Sequence, residues 1–200
     1  MRWPKLRELK EAVTAVFSPR FTTRFPAVPC EVPDRYRGKP KFNDDTCVGC
    51  GACVNVCPTL ALTQKDDLNS DPPNRRLTLR YDTCIFCGHC AENCTTQDGI
   101  QLSQEWDLAG LDRSAMVEHH DHALQCCEKC GAVVGTHKHL VWLSKRLGPL
   151  AYTNPSLLLA QVPAKASIGV NTGHYETEAK PRDFMRILCP ECKCQLNLTL

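Results

Sequence analysis

The stretch Asp45-Thr46-Cys47-Val48-Gly49-Cys50-Gly51-Ala52-Cys53, continued by Val54-Asn55-Val56-Cys57-Pro58, decides the fold. It is echoed by Asp82-Thr83-Cys84-Ile85-Phe86-Cys87-Gly88-His89-Cys90, continued by Ala91-Glu92-Asn93-Cys94. Cysteines at this spacing wrap a loop around one centre, while the fourth sits on the following helical turn and points away. Gly49, Gly51 and Gly88 let the backbone turn tightly enough for its N–H groups to face the sulfurs. Each copy then runs into a short alternating strand, Leu60-Ala61-Leu62 in one and Ile100-Gln101-Leu102 in the other, and Leu77–Tyr81 reads as a strand entering the second copy. The connection from Asp66 to Asn74 is polar and turn-rich. A duplicated loop–helix–strand unit implies an α+β fold with a pseudo-two-fold repeat.

The first copy matches C-x2-C-x2-C-x3-C-P, the run that holds cubane [4Fe–4S] clusters in bacterial ferredoxins; in two-cluster members the fourth cysteine ligates the other cluster. That rule assigns cluster one to Cys47, Cys50, Cys53 and Cys94, and cluster two to Cys84, Cys87, Cys90 and Cys57. Ligands shared crosswise hold two clusters close enough for an electron to pass between them. Where the first copy has Pro58, the second has Thr95. Threonine either simply fits the turn, or its N–H, absent from proline, donates near cluster one and raises that potential. His89, inside the second loop, reads as an exposed side chain rather than a proton relay.

Fifteen cysteines in 200 residues would suit a disulfide framework in a secreted chain. Charges recurring from Arg2 to Glu11 and an apolar stretch of only Ala12 to Phe17 argue against a signal peptide. Clustering in C-x-x-C units points to metal binding in a reducing compartment. No apolar run approaches the roughly 18 residues of a membrane span. The expectation is a cytoplasmic metalloprotein.

The net charge of +2 conceals +6 over residues 1–41, −7 over 42–112 and +3 over 113–200. Three domains follow: a basic arm with an amphipathic helix (1–41), a two-cluster ferredoxin domain (42–112) and a four-cysteine metal domain (113–200). Leu6, Leu9, Val13, Val16 and Phe17 recur at helical spacing, which predicts a helix over about residues 4–17. Its basic flanks suit a membrane interface, and its apolar stripe suits packing on protein. Five prolines between residues 18 and 41 predict an extended arm.

Cys127-Glu128-Lys129-Cys130 and Cys189-Pro190-Glu191-Cys192 form two further knuckles, 58 residues apart. Four thiolates suit a tetrahedral zinc-ribbon-like site, with zinc as the simplest occupant and mononuclear iron as the alternative. Cys126 and Cys194 flank the knuckles as alternates, and Cys30 stands alone as an ordinary thiol. Helices are expected around Leu140–Leu147 and Ser156–Gln161, and a flexible loop over Ala164–Lys180. His119-His120-Asp121-His122 reads as a solvated polar turn, and His137 and His139 as spectators to a site that four cysteines complete.

The basic helix, then Tyr36-Arg37-Gly38-Lys39-Pro40, then the twin motifs resemble the eight-iron ferredoxin subunit of respiratory complex I. The paired knuckles ending in Cys189-Pro190-Glu191-Cys192 narrow this. They resemble the iron–sulfur subunit of formate hydrogenlyase and hydrogenase-4 type complexes, the energy-converting [NiFe]-hydrogenases. The resemblance implies an electron-transfer subunit on the cytoplasmic side of the membrane, peripheral to it. Its partners would be the small and large hydrogenase subunits, the membrane-arm subunits and an upstream electron donor.

No nucleophile–base pair or phosphate-binding loop marks an enzyme acting alone. A metal-stabilised nucleic-acid-binding protein, the reading from a different class, needs a basic, aromatic-rich patch. Residues 113–200 reach only +3 with scattered aromatics, so no nucleic-acid partner is expected.

Overall fold

The computed structural model describes residues 5–19, 21–161 and 186–198; the loop expected over Ala164–Lys180 lies outside them. Two compact units result, residues 1–36 and 37–200. In the first, α1 (Leu6–Phe17) forms as its periodicity predicts. The Lys5 N–H donates to the Glu8 carboxylate at 3.1 Å at its start, and Pro19 follows its end, where Ser18 has left the helical region. Leu6, Val16 and Phe17 are largely exposed. Among the described residues no regular element forms between it and Tyr36, a stretch that carries four prolines.

The second unit is built on two sheets. In the smaller, β1 (Pro40–Phe42) pairs antiparallel with β4 (Ile100–Leu102), Phe42 opposite Ile100. In the larger, β2 (Leu62–Asp67), β3 (Asn74–Arg80), β5 (Val117–Cys126) and β6 (Val133–Thr136) lie in chain order, each antiparallel to the next. β2 begins only at Leu62, so it shares one residue with the expected Leu60–Leu62 and runs on to Asp67. Thr63 to Asp67 are mostly exposed and carry no apolar alternation, but each still pairs with a residue of β3. The β2–β3 loop shrinks accordingly.

Two one-turn helices, α2 (Ala52–Asn55) and α3 (His89–Glu92), follow the two cysteine loops. Cys53 and Cys90 on these helices share one core with Ala61, Leu62, Leu79, Tyr81 and Ile100. Beyond β6, α4 (His137–Leu147) and α5 (Pro155–Gln161) form close to where they are expected, joined through Leu140, Leu157 and Ala160. The described chain closes with α6 (Pro190–Leu198).

β5 was not foreseen. The run His119 to His122 is no solvated turn: it lies mid-strand, with His120, His122 and Leu124 buried on one face. β5 pairs along the whole of β3, from Asn74 opposite Ala123 to Arg80 opposite Val117. The C-terminal region is thereby continuous with the sheet that supports the cysteine loops.

Candidate metal centres

Gly51 and Gly88 stand just before α2 and α3 with φ of +80° and +87°, a left-handed turn that only glycine makes without strain. Gly49 (φ +64°) is needed twice over, because a Cβ there would lie 2.6 Å from the His122 ring. Its counterpart in the second loop is Phe86, at φ +53°, so the two loops share a backbone turn but not the side chain at its corner.

The fourth cysteines lie across from their own loops. A Cβ on Gly99 would sit 3.1 Å from Cys94 Sγ and 3.2 Å from Cys47 Cα, which puts Cys94 against the first loop. Burial raises the Cys47 thiol, with Cys50 and Cys94 adding to it. Burial, then the fields of Cys47, Cys50, Cys90 and Cys94, push Cys53 up to about 12. Cys84 is raised by burial, with Cys57 and Cys87 contributing. A cleft is lined by Cys57, Cys84, Cys87 and Cys90 together with Pro40, Ala61, Leu62 and Leu79. Thiols that disfavour one another's ionisation suit a cationic centre, since a metal favours the thiolate form. Among the described residues no three of these eight sulfurs lie within 4.8 Å of one another. The set is too open for one ion and suits a multi-iron group touched at separate corners.

The knuckles behave differently. Cys127, Cys130, Cys189 and Cys192 bring four sulfurs within 4.8 Å of one another, with Cys130 and Cys189 3.6 Å apart. A tetrahedral site with bonds of about 2.3 Å has sulfur–sulfur edges of about 3.8 Å, so the set matches a single ion. Leu188 and Val134 pack beside it. Burial and the neighbouring sulfurs push Cys192 up to about 12. At Cys127 burial is outweighed by backbone N–H donation around residues 189, 130 and 129, and the thiol falls to about 7. The 58 intervening residues do not keep the knuckles apart. Neither Cys126 nor Cys194 joins the set, and Cys30 is half-buried in the N-terminal unit with its thiol 3.8 Å from the Glu31 carbonyl.

Sequence reasoning missed the buried histidines. His122 Nε2 lies 3.4 Å from Cys47 Sγ, and His120 Nδ1 lies 2.9 Å from an Asp44 carboxylate oxygen. The His120 ring stacks on Phe42 at 5.0 Å and meets His122 edge-on at 4.4 Å. Burial lowers both imidazoles, His122 to about 4, so both are neutral near pH 7. Cys47, His120 and His122 lie close enough to share a metal. However, His120 already faces Asp44, and Cys47 belongs to the first cysteine loop. The signal that could have found them was alternation: His120, His122 and Leu124 recur every second residue.

Thr95 meets the first loop through its hydroxyl, 3.1 Å from Cys50 Sγ, a contact that neither sequence reading of this position named. His89 is more than half exposed and faces Glu92 at 3.8 Å. Thr136, fully buried, ties α4 to the first loop: its hydroxyl donates to the Val48 carbonyl and accepts from the His139 N–H at 3.2 Å.

With these sites in place, residues 39–95 match the family model of the 4Fe–4S dicluster domain. That match takes in both cysteine loops and a little over a quarter of the chain. Formate hydrogenlyase subunit 6 of Escherichia coli (strain K12) is 41% identical over 119 residues, 60% of this chain and 64% of that protein. NADH-quinone oxidoreductase subunit 9 of Rhodothermus marinus is 36% identical over 64 residues, 28% of each chain. F(420)H(2) dehydrogenase subunit I of Methanosarcina mazei is 33% identical over 57 residues, 28% of this chain and 32% of that one. The chain therefore spans less than two thirds of the length of each of these relatives. The dicluster domain accounts for both cysteine loops and β1 to α3, while β5 and the four-cysteine knuckles lie beyond its matched residues.

Proposed function

We propose that the chain is an electron-transfer subunit, not an enzyme by itself. It relays electrons through two [4Fe–4S] clusters within a membrane-associated, energy-converting [NiFe]-hydrogenase complex of the formate hydrogenlyase kind. The exchange of fourth cysteines carries this reading, with Cys94 among the first loop's sulfurs and Cys57 beside the second's. Cys47, Cys50, Cys53 and Cys94 hold cluster one; Cys84, Cys87, Cys90 and Cys57 hold cluster two. The two loops are a duplicated unit, paired about a pseudo-two-fold axis.

The bound clusters supply reversible one-electron storage. The chain's own residues fix where that storage sits. Cys53 and Cys90, one from each loop, lie in the same core, so the two centres are held at one separation. Leu62 and Leu79 are buried in that core and line the second cleft, giving it an apolar wall.

Residues 1–41 serve as the basic arm, 42–112 hold the clusters, and 113–200 form a zinc-ribbon-like lobe. Cys127, Cys130, Cys189 and Cys192 hold zinc there, supported by four sulfurs within 4.8 Å of one another. Among the described residues no helix is long and apolar enough to cross a membrane. The chain sits peripherally on the cytoplasmic side, docked on hydrogenase and membrane-arm subunits. The longer match to formate hydrogenlyase subunit 6 than to the other relatives favours a hydrogenase over a complex I-type assembly.

The test is isolation of the tagged full chain from detergent-treated membranes, with mass spectrometry of what accompanies it. Small and large [NiFe]-hydrogenase subunits with membrane subunits are the expected result. Flavin- and NADH-binding subunits in their place would reassign it to a complex I-type enzyme, and recovery as a lone chain would overturn the assembly.

A further inference from the structure

The two cysteine loops present equivalent ligands in unlike surroundings. Cys47 has a buried imidazole nitrogen within reach, His122 Nε2 at 3.4 Å; Cys50 has the Thr95 hydroxyl at 3.1 Å. Among the described residues neither has a side-chain counterpart at the second loop. Pro58 stands at the position of Thr95 and brings no hydroxyl or N–H. Phe86 stands at the position of Gly49, the residue whose missing Cβ leaves room for the His122 ring, and Phe86 lines the second cleft.

We propose that His122 and Thr95 donate hydrogen bonds to Cys47 and Cys50 and thereby make cluster one the more oxidising of the two. The inference rests on the two-cluster ligand assignment above.

The direction of donation follows from the chemistry. A sulfur that ligates iron carries no proton, so the imidazole and the hydroxyl must be the donors. His122 Nδ1 is buried without a partner, which suits a bare lone pair better than a second N–H and leaves the proton on Nε2. Donation to a ligand sulfur withdraws electron density and stabilises the reduced centre, raising its potential.

Features common to both loops do not separate them. Thr96 Oγ1 lies 3.4 Å from Cys94 Sγ and its counterpart Thr59 lies 3.8 Å from Cys57 Sγ. A guanidinium reaches a loop carbonyl at each, Arg75 at Gly49 (3.1 Å) and Arg37 at Cys87 (3.0 Å). His122 comes from β5, outside the matched dicluster domain. The C-terminal region thus sets which way the pair is biased: an electron arriving at cluster two passes on to cluster one.

The test is an EPR-monitored redox titration of the anaerobically purified, full-length chain, wild type against His122→Phe, His122→Gln, Thr95→Val and Thr95→Ser. Wild type gives two reduction waves. In His122→Phe and Thr95→Val the higher wave falls, by about tenfold in its reduction equilibrium, or 59 mV for one electron, while the lower wave stays. His122→Gln and Thr95→Ser, which keep a donor, recover part of the shift. Thr95→Val stands in if His122→Phe does not load its iron. Fully loaded variants with an unmoved higher wave, or with the lower wave moved instead, overturn the proposal. A wild-type chain that binds iron for only one cluster fails the ligand assignment itself, a result read from iron content before any titration.

Discussion

Replacing Thr136 by valine keeps the side-chain shape and deletes one hydroxyl. That hydroxyl is fully buried, caps α4 by accepting from the His139 N–H, and donates to the Val48 carbonyl in the first cysteine loop. Loss of a threonine cap costs about 1 kcal/mol, and a buried carbonyl left without its donor about 1–3 kcal/mol. Together these amount to about 2–4 kcal/mol. Because cluster loss makes global unfolding irreversible, the suitable readout is local opening, followed by hydrogen exchange with mass spectrometry at pH 7. Amides in the first turn of α4 should exchange about thirty- to several-hundredfold faster than in wild type, since each 1.4 kcal/mol of lost protection is tenfold. The visible absorbance of the chain should also bleach faster in air, as the first loop loosens. Exchange within threefold of wild type, with unchanged bleaching, would refute the claim that α4 and the first loop are fastened through this residue.

Further outcomes follow from the same geometry. Gly49→Ala adds a Cβ 2.6 Å from the His122 ring at φ +64°; iron content should fall from about eight toward about four per chain as cluster one fails to load, measured by metal analysis. With zinc in the proposed four-cysteine site, wild type should carry about one per chain and Cys189→Ser should lose it while leaving iron unchanged. The Asp66 carboxylate, held below its usual range by the two-pronged Arg75 contact at 2.8 Å, contributes stability that is fully present above the unfolded carboxyl value of about 3.9. That contribution is lost as pH falls through the lower folded value. Asp66→Asn should remove about 1 kcal/mol at pH 7, seen as about fivefold faster hydrogen exchange in the β2–β3 hairpin and a smaller acid sensitivity of that exchange below pH 4.

The cysteine loops were legible in the sequence because their chemistry is local. Spacing fixes which sulfurs face one centre, and Gly51 and Gly88 mark the turns that bring them there. β4 was found at its observed bounds because Ile100 and Leu102 alternate with Gln101. The four-cysteine knuckles were legible as a set, although their approach depends on 58 residues that spacing alone cannot fold. β5 was hidden because its inward face is carried by His120 and His122. Imidazole counts as polar in any hydrophobic pattern, and only the stacking on Phe42, the Asp44 carboxylate and Cys47 make its burial affordable. β2 was placed two residues early and cut short for the converse reason, since its polar residues are ordered by β3 across the hairpin rather than by a core beneath them. Thr95 was singled out correctly as the break in the repeat. Which of its groups reaches Cys50 is a rotamer, and rotamers are not written in spacing.

Iron analysis combined with EPR of the dithionite-reduced full chain tests the two-cluster arrangement most directly. About eight irons per chain and a split signal from two close, spin-coupled [4Fe–4S]⁺ centres are expected. About four irons with a single, unsplit signal would contradict it.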